Sequence, residues 1–276
     1  MITQEDFSGK NREIFESLPD TFYTGDIPTV KKRYYWPLAA AAAVLALLAV
    51  GLAFWSSPSA EPDRTADITY YVERGVKGQL ALPDGTQVCL NSGSRLQVLD
   101  SRRVFLDGEG WFEVESDPQH PFLVETPSGI TVKVTGTKFN LSNYKEEDFR
   151  VLLVKGSIEL EGTRPGIPAR IEPSQLVTVK HNQARTRVAD SLERKSATAW
   201  RDGVLVFDDK PLREAIPMLE RWYGVHVNIT SPELLKENLT GEFDTETIQE
   251  VMNVLSLTHR FFYHIDGKEI TIAYRK

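Results

Sequence analysis

An uninterrupted apolar run constrains this chain more than any other feature. Residues 36–55, "WPLAAAAAVLALLAVGLAFW", pass without one charge. At a helical rise of about 1.5 Å per residue, that length matches the roughly 30 Å hydrocarbon layer of a bilayer. A helix at the surface of a soluble core carries a polar stripe, and this run has none. Tyr34, Tyr35 and Trp36 bracket one end and Trp55 the other, at the depth where amphipathic rings settle. Pro37 falls in the first turn, where its missing N–H costs least. Residues 34–55 are therefore expected to form a single transmembrane helix.

The flanks orient it. Lys31, Lys32 and Arg33 precede the run directly, whereas "SSPSAEPD" follows it and no basic residue appears before Arg64. The positive-inside rule then places the N-terminus in the cytosol and the long C-terminal part outside, with Lys31, Lys32, Arg33, Trp36 and Trp55 as membrane-anchor residues. A cleaved signal peptide fits poorly: its leader would be acidic and long, its apolar stretch too extended, and Pro58 would sit at position −3 of the small-residue site ending at Ala60.

Length and charge narrow the rest. The 221 residues after position 55 suffice for two ordinary domains with their own cores. Residues 1–33 hold five basic against six acidic side chains and residues 56–276 hold 27 against 33, so neither side carries the basic surplus of a nucleic-acid binder, and no direct nucleic-acid contact is expected. Cys89 is the lone cysteine, which excludes an internal disulfide framework; in "TQVCLN" it reads as a small buried hydrophobe of a strand.

Hydrophobic periodicity divides the chain. In the cytosolic tail, 1–33, one amphipathic helix is expected over residues 3–18, with Thr3 as N-cap and Pro19 beyond its end. Phe7, Ile14, Phe15 and Leu18 project onto one face of it, yet so short a helix is marginal alone. The tail lies on the membrane, folds against a protein, or stays a disordered leader. Residues 56–67, rich in Ser, Pro, Ala and acids, form an extended linker. From 68 to 190 short β-branched and aromatic runs alternate with turn chemistry at "PDG", "NSGS", "DGEG", "SDPQHP", "TPSG" and "KG", which is the pattern of an all-β sandwich, barrel or roll. Ile130, Val132 and Val134 alternate with Thr131, Lys133 and Thr135, burying one face, and "WFEVE" alternates in the same way.

From residue 200 to 276 the pattern is strand, helix, strand, twice over. "GVLVFDD", "PLREAIPMLERWYG" and "VHVNI" form the first unit, with Leu212, Ile216, Leu219 and Tyr223 inward, Gly224 as terminator and Pro217 expected to kink the helix or confine its regular part. "LTGEF", a helix opening on the capping box "TIQE" with Ile248, Val251, Met252 and Leu255 inward, and "RFFYHI" form the second, closed by "EITIAY" across "IDGK". Two β-α-β units predict a small α+β domain with helices on one face of a small sheet.

Catalytic chemistry is missing from this pattern. The histidines at 120, 181, 226, 259 and 264 show no metal-ligand spacing, and no nucleophile elbow, P-loop or dinucleotide fingerprint occurs. Asp107, Glu109, Glu113 and Glu115 are the one carboxylate group with glycosidase potential. Asp107 and Glu109 read as turn residues, however, and Glu113 and Glu115 as the wet side of a half-buried strand. The expectation is a binding protein without cofactor or metal, not an enzyme.

The runs "LPDGTQVCLNSGSRLQV", "RRVFLDGEGWFEVESDPQHPFLVETPSGITVKVTGTKFNLSNY" and "VLLVKGSIEL" resemble the periplasmic domain of FecR-like anti-sigma factors. The part from Gly203 onward is similar to the small C-terminal domain of Bacteroidetes members, related to the secretin/TonB short N-terminal fold. The resemblance implies a single-pass inner-membrane protein with periplasmic C-terminal domains. Its partners would be an outer-membrane TonB-dependent transporter, whose signalling domain contacts the periplasmic part, and an extracytoplasmic-function sigma factor held by Phe7, Ile14, Phe15 and Leu18. Site-1 and site-2 type proteases would cut near and within the membrane and release the tail. The competing expectation is a membrane-tethered periplasmic binding or scaffolding module without signalling. Ser174 in "IEPSQ" stands where relatives often have Gly.

Overall fold

The computed structural model describes residues 68–145, 147–162, 165–259 and 261–275. The expected tail helix, membrane span and linker lie outside them, as do Phe7, Ile14, Phe15, Leu18, Lys31, Lys32, Arg33, Trp36 and Trp55. Among the described residues no helix is long and apolar enough to cross a membrane.

Two β-layers share one strand. β4 (Arg95–Asp100), β5 (Arg103–Glu113), β6 (Phe122–Glu125), β7 (Thr131–Val134), β10 (Ile158–Glu161) and β11 (Arg170–Ile171) build the first layer, with β1 (Ile68–Tyr71) on its edge against β4. β2 (Gly78–Ala81), β3 (Gln87–Leu90), the far half of β5, β8 (Lys138–Asn143), β9 (Phe149–Lys155), β12 (Gln175–Lys180) and β13 (Gln183–Val188) build the second. Of the three all-β architectures open to the sequence, the result is a sandwich. Its pairs are antiparallel except β5 with β6. Alternation along each strand drives one set of side chains inward, so Ile130, Val132 and Val134 are buried while Thr131 and Lys133 are half-exposed. Phe112 lies at the centre of the core, stacked on Phe139 with ring centroids 5.0 Å apart and tilted against Phe122 at 6.4 Å.

β5 overturns one expectation. "DGEG" reads as a turn, but Asp107 to Gly110 lie inside a continuous 11-residue strand. Residues 103–107 pair with the first layer and 108–113 with the second, so the strand bends from one sheet into the other. Gly108 makes the bend: its φ is +140°, and a Cβ there would lie 2.4 Å from the Ser94 hydroxyl oxygen. The glycines of this segment serve close approach rather than chain reversal. Cys89 also differs from expectation. It is half-exposed on the outer face of β3, accepting from Gln79 Nε2 at 3.3 Å.

Helix α1 (Ser191–Thr198) follows β13, held at its start by a capping box between Asp190 and Glu193. It covers Leu152 and Leu176 on the outer face of the second layer. A short 3₁₀ turn (Ala199–Asp202) then leads into the C-terminal part. There all seven predicted elements occur: β14 (Leu205–Pro211), α2 (Leu212–Tyr223), β15 (His226–Ile229), β16 (Asn238–Phe243), α3 (Ile248–Thr258), β17 (Phe261–Asp266) and β18 (Glu269–Tyr274). The expected single sheet is two: β14 pairs with β16, while β15, β18 and β17 form a separate three-stranded sheet. Each β-α-β unit therefore sends its two strands to different sheets. Both helices pack into one core of Phe207, Leu219, Val251, Leu255 and Phe261.

The caps follow the sequence. Thr247 accepts from the Glu250 N–H, and the Glu250 carboxylate accepts from the Thr247 N–H at 2.8 Å. Gly224 ends α2 with φ 65°. Pro217 does not interrupt α2; the apolar face of Leu212, Ile216 and Leu219 is buried on both sides of it, and that burial outweighs one lost backbone bond.

Two outcomes are expected in thermal unfolding. Gly108→Ala should lower stability by more than about 2 kcal/mol, through strain and the Ser94 clash together. Ser174, which holds φ 68° without being glycine, should gain roughly 0.5–1 kcal/mol as Ser174→Gly, because only its side chain opposes that conformation.

Candidate functional site

The bend in β5 fixes where Glu109 points. One residue beyond Gly108, it leaves the core and faces the outer side of the second layer, opposite Ser142 of β8. Asn91, from the β3–β4 turn, donates to one carboxylate oxygen at 2.8 Å and Asn140 of β8 donates to the other at 2.9 Å. Asn140 is itself 4% exposed, and its carbonyl oxygen accepts from the indole N–H of Trp200 at 3.1 Å. Burial raises the Glu109 pKa above the usual carboxylate range, with the two amide donors and the Arg221 charge opposing the shift. The chain Asn91, Glu109, Asn140, Trp200 thus joins three sandwich strands or turns to the turn that begins the C-terminal part.

A second junction lies beside it. The Tyr144 hydroxyl donates to the Ser92 carbonyl at 2.9 Å. Arg221, at the end of α2, stacks 3.8 Å over the Tyr144 ring and grips the Glu147 carboxylate with two guanidinium nitrogens. Gly75 donates its N–H to the Arg221 carbonyl at 2.8 Å, satisfying one of the last free acceptors of the helix. At the other end of α2, Lys180 of β12 reaches Glu214 at 2.8 Å and Asp148 at 3.4 Å. The sandwich therefore holds α2 at both termini by charge-assisted bonds.

Between these junctions lies a cleft of about 700 Å³. Its walls come from the outer face of β5, β8, β9 and β12 and from α1, the 3₁₀ turn, β14 and α2. Lys210 of β14 lines it, 8% exposed, its pKa lowered to about 8 chiefly by burial, with Arg150 as the nearby like charge.

The carboxylates singled out in the sequence do not converge as an acid and base. Glu113 accepts from the Trp111 indole at 3.0 Å and pairs with Lys138, which holds its pKa below the usual range. Glu115 is exposed, and Asp107 accepts from the Lys145 N–H at 3.0 Å. No group of His, Cys, Asp and Glu suited to a metal ion occurs among the described residues. Asp84 of "LPDG" is structural: it accepts from the Thr86 N–H and hydroxyl and from Arg102 at 3.0 Å, tying two turns together. Sequence reasoning missed Asn91, Asn140, Tyr144 and Arg221, because their partners lie 18 to 74 residues away, and Lys210, because only the folded chain buries it in the cleft wall. The available signal was polar residues at outward strand positions flanked by glycine, as in "DGEG" and "GTKFN".

The sandwich and the small α+β part, joined across a polar cleft, form one compact unit. The family model described as FecR protein matches residues 68–159, and the model described as FecR, C-terminal matches residues 204–272. With both in order and together spanning more than half of its length, the chain belongs to the FecR-like anti-sigma factor family. Two solved structures of a candidate anti-sigma factor from Parabacteroides distasonis ATCC 8503 are similar to it. Each is 27% identical and covers 76% of this chain and 99% of its own, with TM-scores of 0.68 and 0.67. The curated proteins contain no match.

Lys210→Met should raise stability at neutral pH by roughly 2 kcal/mol. Below pH 8 the folded and unfolded chains both carry the lysine proton, and the folded one bears the burial cost. Between about 8 and 10.5 the folded chain has released that proton while the unfolded chain keeps it, so wild-type stability rises with pH. Denaturant titrations of both forms should show their difference shrinking across that window.

Proposed function

We propose that this chain is a transmembrane anti-sigma factor that relays an external signal to a cytosolic extracytoplasmic-function sigma factor. The observation that carries the reading is the succession of both FecR family matches on a fold similar to a candidate anti-sigma factor over 76% of the chain. The apolar run 36–55 supplies the crossing, and the basic flank Lys31, Lys32 and Arg33 keeps the first 33 residues in the cytosol. Phe7, Ile14, Phe15 and Leu18 dock in an apolar groove of the sigma factor, with the tail folding as it binds. Outside the inner membrane, the two-domain module receives the signalling domain of an outer-membrane TonB-dependent transporter. Site-1 and site-2 type proteases then cut the 56–67 linker and the span, releasing the tail.

No turnover belongs to this role. Glu109 is held by Asn91 and Asn140 and Glu113 by Trp111 and Lys138, which supports the reading of these carboxylates as structural.

Replacing Phe7, Ile14, Phe15 and Leu18 together with Ser should abolish co-purification of a co-expressed sigma factor while the described module keeps its melting temperature. Retention of the sigma factor by that variant would reduce the chain to a tethered binding or scaffolding module.

A further inference from the structure

Most charges in the cleft answer one another. Lys180 holds Asp148 and Glu214, Arg187 holds Glu193, and Arg221 holds Glu147. Lys210 is different. The residue is only 8% exposed and its ammonium opens on the cleft, with neither a hydrogen bond nor an ion pair among the described residues; Glu214, Glu109 and Glu147 attract it only at longer range. A cation largely withdrawn from water without a direct partner is costly, and folding gains little from it in return. It lines a cleft of about 700 Å³ open to ligand, so the absent partner is one that a visitor can bring.

We propose that the cleft is a docking site for an acidic peptide segment of a protein partner, with a carboxylate of that segment pairing with Lys210. This deepens the reading above, since it takes the module as the surface that receives a partner. Charge complementarity selects the anion. The volume admits an occupant much larger than a lone carboxylate, and the receiving role of the module makes that occupant a segment of a protein partner. The walls agree: half-buried Trp222, Met218 and Pro217 of α2 and buried Leu205 and Val206 of β14 give apolar surface beside the cation for residues flanking the acid. Trp222 is already held in place by the Lys77 ammonium, 3.9 Å over its ring. Because the cleft is walled by both parts of the module, an occupant contacts both at once.

The test pans phage-displayed random peptides against the full chain and against its Lys210→Met form, both checked for folding by near-ultraviolet circular dichroism. Peptides enriched on the wild type should share an Asp or Glu. A synthetic copy should bind Lys210→Met at least about tenfold more weakly, while Lys195→Met, outside the cleft, should leave binding unchanged. No enrichment, enrichment without an acid, or equal binding to Lys210→Met would each overturn the proposal. Glutarate and inorganic phosphate, titrated calorimetrically into the full chain, form the small-anion arm; saturable binding of either without peptide enrichment assigns the cleft to a free anion and overturns it too. Sigma-factor co-purification with Lys210→Met separates the two readings: its persistence alongside lost peptide binding supports both, and its loss with the tail variant alone concerns only the proposed function.

Discussion

One strand carries the arrangement. β5 runs 11 residues through both layers of the sandwich, and it can do so because Gly108 takes a backbone conformation and a proximity to Ser94 that a side chain forbids. Everything on the outer face depends on that bend. It turns Phe112 into the core, where it stacks on Phe139, and Glu109 out of it, where Asn91 and Asn140 take hold of the two carboxylate oxygens. A carboxylate with both oxygens engaged by neutral amides is fixed in direction without being neutralised. Burial works against its ionised form and raises its pKa, while the two amides and the Arg221 charge favour that form.

The junction between sandwich and C-terminal part is built mainly from polar bonds rather than from a shared apolar core. Each part has its own cluster of buried hydrophobic residues, and the contacts between them are Trp200 to Asn140, Arg221 to Tyr144 and Glu147, Lys180 to Glu214, and the Gly75 N–H to the Arg221 carbonyl. Polar interfaces between domains give orientation through directional bonds while contributing modest net free energy, since water competes for every partner. Helix α2 is the member through which most of this passes. Its first turn meets Lys180, its last turn meets Tyr144 and Glu147, and its flank lines the cleft.

The C-terminal elements were legible because each announces itself locally: the Thr247 and Glu250 capping box, the Gly224 terminator, the 3.6-residue spacing of Leu212, Ile216 and Leu219. Their division into two sheets was not, since pairing of β14 with β16 and of β15 with β18 is a long-range choice with no local mark. "DGEG" misled for a related reason. Glycine and aspartate signal reversal when sequence is read alone, but glycine also serves wherever two backbones must touch, and only the position of Ser94 distinguishes the cases. Ser174 in "IEPSQ" holds φ 68°, a conformation that glycine adopts without a steric cost. The cleft was invisible for the deeper reason that its members are ordinary outward-facing polar residues on separate strands, made into a site only by the docking of α2.

Lys210 shows why such a site need not be optimal for folding. A methionine of similar length would satisfy the same packing without the desolvation cost, which outweighs both the Arg150 repulsion and the attraction of Glu214, Glu109 and Glu147 in lowering the Lys210 pKa. The cost is borne by the empty module and returned when an opposite charge enters, so a carboxylate gains both its own attraction and the relief of that burden. A ligand without negative charge would have to displace water from the ammonium and offer nothing for it, which is discrimination by penalty rather than by added contact. The neighbouring pairs sharpen this. Glu214 and Glu147 are already committed to Lys180 and Arg221, so neither can swing to Lys210 without abandoning a bond that holds α2 in place, and Asp148 is held by Lys180. The lysine is thus kept unpaired by the same contacts that join the two parts of the module, and the charge of the cleft and the docking of α2 are one property of the fold.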